Sequence, residues 1–226
     1  MDIGRAFSYV FQDPQWLKKL LIALVMLIIP IIGWLILFGY ILRIVRGVAS
    51  GSDVPLPEWD DFGRDLALGF KGAVTSFVWS LPATLIGVCS QVASVLSTDN
   101  GGRGSGLGAF TLAAICLGCV SFILSFATTY VLPVPLSRLA VTDRLSEAFA
   151  LSEIFREIGR AATPLLLVLL ITVGLSFFAL FGVLLCIVGI VATILYAYLV
   201  QAHLWGQVRR QLQSGETTGA PVPVVT

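Results

Sequence analysis

Apolar and polar positions alternate along this chain in long blocks. Leu20 to Leu42 is apolar throughout, and Leu66 to Leu96 (with Lys71 near its start), Ala109 to Leu136 and Ala161 to Leu204 are apolar apart from scattered polar residues. Each block is long enough for a membrane-crossing helix, which needs about 20 residues. The last is too long for one helix, and Gly182 to Gly189 is its expected turn. The first is interrupted by Pro30-Ile31-Ile32-Gly33, where proline would kink or end a helix. Residues 1 to 12 read as a short amphipathic segment, with Ile3, Phe7, Val10 and Phe11 able to share one face. Asp13-Pro14 reads as a helix start, followed by Trp16 at an interfacial depth. The charged stretch Ser137 to Arg160 reads as an interfacial amphipathic helix. Ser97 to Gly108 reads as a mobile Gly-rich linker, and residues 213–226 as a disordered polar tail after a single domain, 1–212.

Composition agrees with the pattern. Hydrophobic residues make up 57% of the 226 and charged residues only 12%, too few to coat a soluble surface of this size. Net charge is +1, so no basic field points to nucleic acid. No cleavable signal pattern follows the first apolar run, so insertion of the whole chain is expected. The bilayer is the expected solvent and partner.

The basic residues discriminate between topologies. If Leu20 to Leu42 crosses the membrane once, Lys and Arg divide between the two sides. If Pro30 to Gly33 is a hairpin tip, thirteen of the fourteen fall on one side, leaving only Arg103 opposite. The positive-inside rule favours the hairpin, with both termini cytoplasmic. The expected fold is therefore an all-α integral membrane protein of about six helical segments in three hairpins, with short interfacial helices; five spans is the alternative. The hairpin has a cost, because its first arm, Trp16 to Ile29, would be about 21 Å long against a core of about 30 Å. A weak internal repeat accompanies it. Ala6-Phe7 and Ala148-Phe149 each precede an apolar arm, a tip and a second arm that ends in tyrosine and basic residues.

Candidate chemistry is sparse. Asp53, Glu58, Asp60, Asp61 and Asp65 could offer carboxylates to a divalent cation but lack calcium-loop spacing; an interfacial loop anchored by Trp59, with Pro57 and Asp60/Asp61 starting a helix, is the simpler reading. His203, the only histidine, has no carboxylate in its own segment and reads as a structural residue at a helix end. Cys116 and Cys119 form a C-x-x-C without nearby His, Asp or Glu; with Cys89 and Cys186 they read as small residues buried in helix contacts. Ser121, Ser125 and Thr129, like Ala83 and Gly87, are four apart, the spacing of close helix contacts. No cofactor or metal is expected. No Asp or Glu sits at the centre of an apolar run, which argues against a proton-coupled transporter.

Three motifs carry a family resemblance. They are Ala6-Phe7-Ser8-Tyr9-Val10-Phe11-Gln12-Asp13-Pro14-Gln15-Trp16 with Leu17-Lys18-Lys19; Gly39-Tyr40 followed by Leu56-Pro57-Glu58-Trp59-Asp60-Asp61-Phe62-Gly63; and Tyr196-Ala197-Tyr198-Leu199 with Ala202-His203-Leu204-Trp205-Gly206-Gln207. Over residues 4–212 the chain resembles a prokaryotic membrane family, domain of unknown function 4013. The resemblance implies a multi-pass protein of the prokaryotic inner membrane and assigns no catalytic residue. The expected role is non-enzymatic: a scaffold or accessory subunit that packs against a membrane-protein partner or forms a homo-oligomer. A transporter or channel for a lipid-like or neutral solute is the alternative, and would place Ser90, Gln91, Ser125 and Tyr130 along a cavity. A membrane enzyme would need Glu58, Asp60, Asp61 and His203 to converge.

Overall fold

A computed structural model describes residues 2–52, 56–99, 109–181 and 186–218. These are helices and their connections, with no strand among them. Most of the Gly-rich linker, Asp53, residues 182–185 of the last expected turn and residues 219–226 lie outside the described residues. In order, the helices are α1 (Ile3–Ser8), a 3-10 turn (Tyr9–Gln12), α2 (Trp16–Ile28), α3 (Ile32–Ala49), α4 (Phe62–Asp99), α5 (Ala109–Val131), α6 (Pro133–Thr142), α7 (Leu145–Ala148), α8 (Leu151–Arg160), α9 (Ala162–Phe181) and α10 (Cys186–Thr218). Helix α10 therefore runs beyond residue 212, where the sequence reading ends the folded domain.

The chain divides into two compact units, Met1–Thr75 with Pro133–Thr226, and Ser76–Leu132. In the first, α3 and α10 make the most extensive helix contact. Tyr40, Leu42, Ile44 and Val45 of α3 are buried with Leu199, Val200 and Leu204 of α10. Glycine sets the depth of two crossings. A Cβ on Gly39 would fall on the carbonyl oxygen of Asp65, and one on Gly69 on that of Leu35, so α3 and the start of α4 touch backbone to backbone.

Helices α2 and α3 fold back on each other. Ile32 N–H donates to Pro30 C=O at 2.8 Å, closing a three-residue turn with Ile31 at φ 64°, ψ −69°. A β-branched residue at positive φ is strained. Trp34 Nε1–H donates to Leu27 C=O at 3.1 Å across the turn. Proline ends the first arm, as expected from its place in the apolar run.

Three helical stretches among the described residues, Ile32–Ala49, Phe62–Leu96 and Phe110–Thr142, are long and apolar enough to cross a membrane. A fourth is possible if Leu151–Arg160 and Ala162–Phe177, bent by 85°, count as one. That is fewer than the expected six, in part because α2 has 13 residues and measures about 20 Å. The charged stretch 137–160 is not one interfacial helix. Residues Pro133 to Ala140 of α6 are buried throughout, and only α8 is amphipathic, burying Ile154 and Glu157 while exposing Leu151 and Phe155. In the N-terminal segment Val10 is fully buried, whereas Ile3 and Phe11 are exposed.

The second unit is a helical hairpin. Ser90 Oγ–H donates to Ala114 C=O at 2.9 Å and Ser121 Oγ–H to Ala83 C=O at 3.0 Å, so α4 and α5 run antiparallel along a seam of small residues. Gly87 faces Ser121 and Gly118 faces Ser90 in the same seam. The cysteines behave differently from expectation: Cys89, Cys116 and Cys119 are free thiols on the exposed surface, because serine, glycine and alanine occupy the contact.

Gly39→Leu should lower the apparent melting temperature and abolish the native α3–α4 crossing, since backbone cannot yield. Ile31→Gly should raise it, by about 2–4 °C if removing the positive-φ strain is worth about 1 kcal/mol. Thermal unfolding in detergent checks both.

Candidate functional site

The charged residues of the first unit gather around the C-terminal half of α3. The segment 56–61, which connects α3 to α4, lies across α2 and α3 as a strap. Leu56 is buried, and its carbonyl accepts a hydrogen bond from Lys19 Nζ at 2.9 Å. The Lys19 ammonium, only 4% exposed, also meets Asp13 Oδ2 at 2.8 Å and Glu58 Oε1 at 2.7 Å. Asp13 turns its other oxygen to the Gln15 N–H at 2.7 Å. Helix α2 begins at Trp16, so Asp13-Pro14 forms a turn ahead of the helix rather than its cap and first residue. Trp16 packs edge-on against Phe11 at 5.3 Å.

Trp59 is not a free interfacial anchor. Its ring stacks on Tyr40 at 3.9 Å and 4°, and its Nε1–H donates to Lys19 C=O at 3.2 Å. The Tyr40 hydroxyl donates to Pro57 C=O at 3.0 Å. Arg43, one turn further along α3, donates to Asp60 Oδ1 at 2.8 Å, Glu58 C=O at 2.7 Å and Asp65 Oδ2 at 2.9 Å, with its charge 5.7 Å from the Tyr40 ring centroid. A planar fork of five donors suits this divergent set; lysine could not reproduce it. Asp61 accepts from the Arg64 N–H at 2.9 Å and starts α4, as the sequence suggested.

A second cluster joins α6, α7, α8 and α10. Arg138 donates to Glu157 Oε1 at 2.6 Å and to the Glu147 carboxylate, and Arg209 donates to both oxygens of Glu157 at 2.9 Å. Arg138, Glu157 and Arg209 are all buried. A third joins Lys71 to Asp143 at 2.9 Å, beside Arg46, whose Nε–H donates to Ala140 C=O. Ion pairs this buried are weak evidence for net stability, but removing one partner is costly because it strands a charge.

His203 packs on Tyr9, ring centroids 4.5 Å apart, and its buried Nδ1 has no hydrogen-bond partner. Glu58 pairs with Lys19, Asp60 with Arg43 and Asp61 caps α4, all on the strap or at its end, while His203 lies against Tyr9. Among the described residues no group of three or more His, Cys, Asp or Glu could hold a metal ion. Ser90 is spent in the α4–α5 contact, and Ser125 Oγ–H bonds Ser121 C=O on its own helix at 2.8 Å.

Sequence reasoning missed Lys19, Arg43 and the Arg138–Glu157–Arg209 cluster. One local signal existed: Glu157 is three residues from Ile154, placing a carboxylate on the buried face of α8.

These features define an all-helical protein with helices long and apolar enough to cross a membrane, its larger unit tied together by buried ion pairs. The chain belongs to the family described as Protein of unknown function (DUF4013), whose model matches residues 22–189. That match includes the 56–63 strap and is narrower than the 4–212 resemblance, leaving out the first and last motifs. No curated protein and no solved structure matches the chain.

Burial raises the Asp13 carboxyl pKa, but the Lys19 ammonium and the Gln15 N–H outweigh it, so the group titrates below its ordinary 3.8. Burial lowers Lys19, but Asp13 and Glu58 outweigh that too and hold it above 10.5. A lowered carboxyl contributes stability above its unfolded pKa and loses it as pH falls through the folded one; a raised amine loses its contribution as pH rises through its folded value. Asp13→Asn should therefore lower stability at pH 7 by about 1–3 kcal/mol, read as a lower melting temperature, since Glu58 still faces Lys19. That deficit should shrink towards zero below pH 3.8. Glu157→Gln, which leaves two buried arginines facing each other, should cost about 3–5 kcal/mol in the same assay.

Proposed function

We propose that this is a non-enzymatic integral protein of a prokaryotic inner membrane, a scaffold or accessory subunit that works by packing its helices against a membrane partner or a second copy. The observation that carries this reading is the surface of the 76–132 hairpin. From Phe110 to Val131 no residue is buried, and from Ser76 to Leu96 only Ala83 and Ala93 are. Phe77, Leu85, Phe122 and Ile123 are each more than 60% exposed. In water such a surface would aggregate; in lipid it needs no cover.

Not all of that surface is the large aliphatic kind that lipid chains favour. Cys89, Cys116, Cys119, Ser125 and Thr129 also face outward. Small and hydroxyl residues at exposed helix positions are those with which membrane helices meet neighbours. The topology that goes with this reading has three hairpins, with both termini and the strap on the cytoplasmic side. Helix α8, with Leu151 and Phe155 exposed before its 85° bend into α9, then lies in the interface.

A photo-crosslinking residue at Phe122, irradiated in native membranes, should yield discrete adducts to a second copy or another membrane protein. Adducts to lipid alone would contradict the packing role.

A further inference from the structure

A cavity of about 230 Å³ opens where the start of α1, the end of α3 and the polar part of α10 meet. It is smaller than the roughly 300 Å³ at which drug-sized sites begin, so it fits a small polar group. Arg5, Ser52, His203 and Arg210 line it, with Asp2, Gly51 and Gln207. Gln207 is spent on the backbone of Asp2, accepting from its N–H at 2.8 Å and donating to its carbonyl at 2.9 Å. Asp2 is spent locally, its Oδ1 accepting from the Arg5 N–H at 3.0 Å. These contacts close one wall.

Arg210 differs from the arginines around it. Arg43, Arg138 and Arg209 are each met by carboxylates, but among the described residues none lies within ion-pair distance of the Arg210 guanidinium. It rests against Gly51, at φ +76°, where a Cβ would sit 3.4 Å from its Cζ. His203 also lines the cavity, is only 6% exposed, and keeps a buried Nδ1 without a partner. A buried imidazole nitrogen without a partner is costly unless a ligand answers it, and the Arg210 charge beside it is free to meet one.

We propose that this cavity binds a phosphate group, with Arg210 as its principal cation and Arg5, Ser52 and His203 around it. A guanidinium matches phosphate oxygens in a planar, bidentate way. The group can belong to an anionic phospholipid headgroup or to a free phosphate. Ile3 and Phe11, exposed on the adjoining N-terminal segment, favour the lipid. The lipid source rests on the membrane reading above; the phosphate site does not.

The full chain, delipidated in neutral detergent, is titrated with dihexanoyl phosphatidylglycerol, with dihexanoyl phosphatidylcholine as a zwitterionic reference, and with inorganic phosphate as competitor. Arg210→Gln is compared with wild type and with Arg156→Gln, an exposed arginine on α8. Phosphatidylglycerol should bind, with a dissociation constant raised about tenfold by Arg210→Gln and unchanged by Arg156→Gln. Binding that inorganic phosphate does not displace supports a lipid headgroup; displacement supports a free phosphate. No binding of either probe, or an equal constant in Arg210→Gln, overturns the site. Crosslinking at Phe122 is indifferent to Arg210, so the two readings fail separately.

Discussion

The buried ammonium of Lys19 constrains the larger unit more than any other group. It sits at the start of α2 and is held by Asp13 before that helix and by Leu56 and Glu58 after α3. An amine this buried cannot be left unpaired without losing several kcal/mol, so both ends of the α2–α3 pair must lie together. The chain must reverse between them, and the only break is at Ile29 to Ile31. The strained turn at Ile31 is tolerated because the ion pair and the glycine-mediated contacts over-determine it. With the reversal made, Arg43, Arg46 and Gly51 come to the same end of α3, where the strap, α6 and α10 attach.

The two units solve the packing problem differently. From residue 76 to 96 and from 110 to 132 the chain carries no Asp, Glu, Lys or Arg. Lipid supplies no hydrophobic drive for helix association, so this hairpin relies on close approach and on hydroxyls donating to facing carbonyls. The larger unit adds charge. Arg138, Glu157 and Arg209 come from three separate helices, and each is answered within the cluster. Such clusters fix one arrangement of helices, because alternatives strand a charge in an apolar interior.

Features that rest on local chemistry were legible in the sequence. The break at Pro30 to Gly33 follows from proline and glycine inside an apolar run and the start of α4 from Asp61; of the residues spaced by four, Ala83, Gly87 and Ser121 lie in the α4–α5 seam, whereas Ser125 and Thr129 face outward. Features that rest on contacts between distant residues were not. Asp13 looks like a helix cap because its neighbours are all it can be judged against; its true partner is Lys19, six positions on. Trp59 has the composition of an interfacial anchor, yet Tyr40, nineteen positions earlier, takes its whole face. Cys116 and Cys119 were assigned to a contact by size, but serine and glycine do that work and leave the thiols outside. His203 looked solitary in sequence and is so in hydrogen bonding, but it lines a cavity that it shares not only with Gln207 and Arg210 of its own helix but with Arg5 and Ser52, more than 150 residues away.

Sidedness tests most directly whether buried ion pairs hold the segments around α3 on one side of a membrane. Single cysteines at Gln12, Ser52, Ser146 and Ser214, all exposed, are placed in a background without native thiols. They are labelled with an impermeant maleimide from each side of sealed, oriented vesicles. All four should label from the same, cytoplasmic, side. If Gln12 and Ser52 label from opposite sides, α2 and α3 form one crossing, Lys19 cannot meet the strap in the membrane, and the account fails.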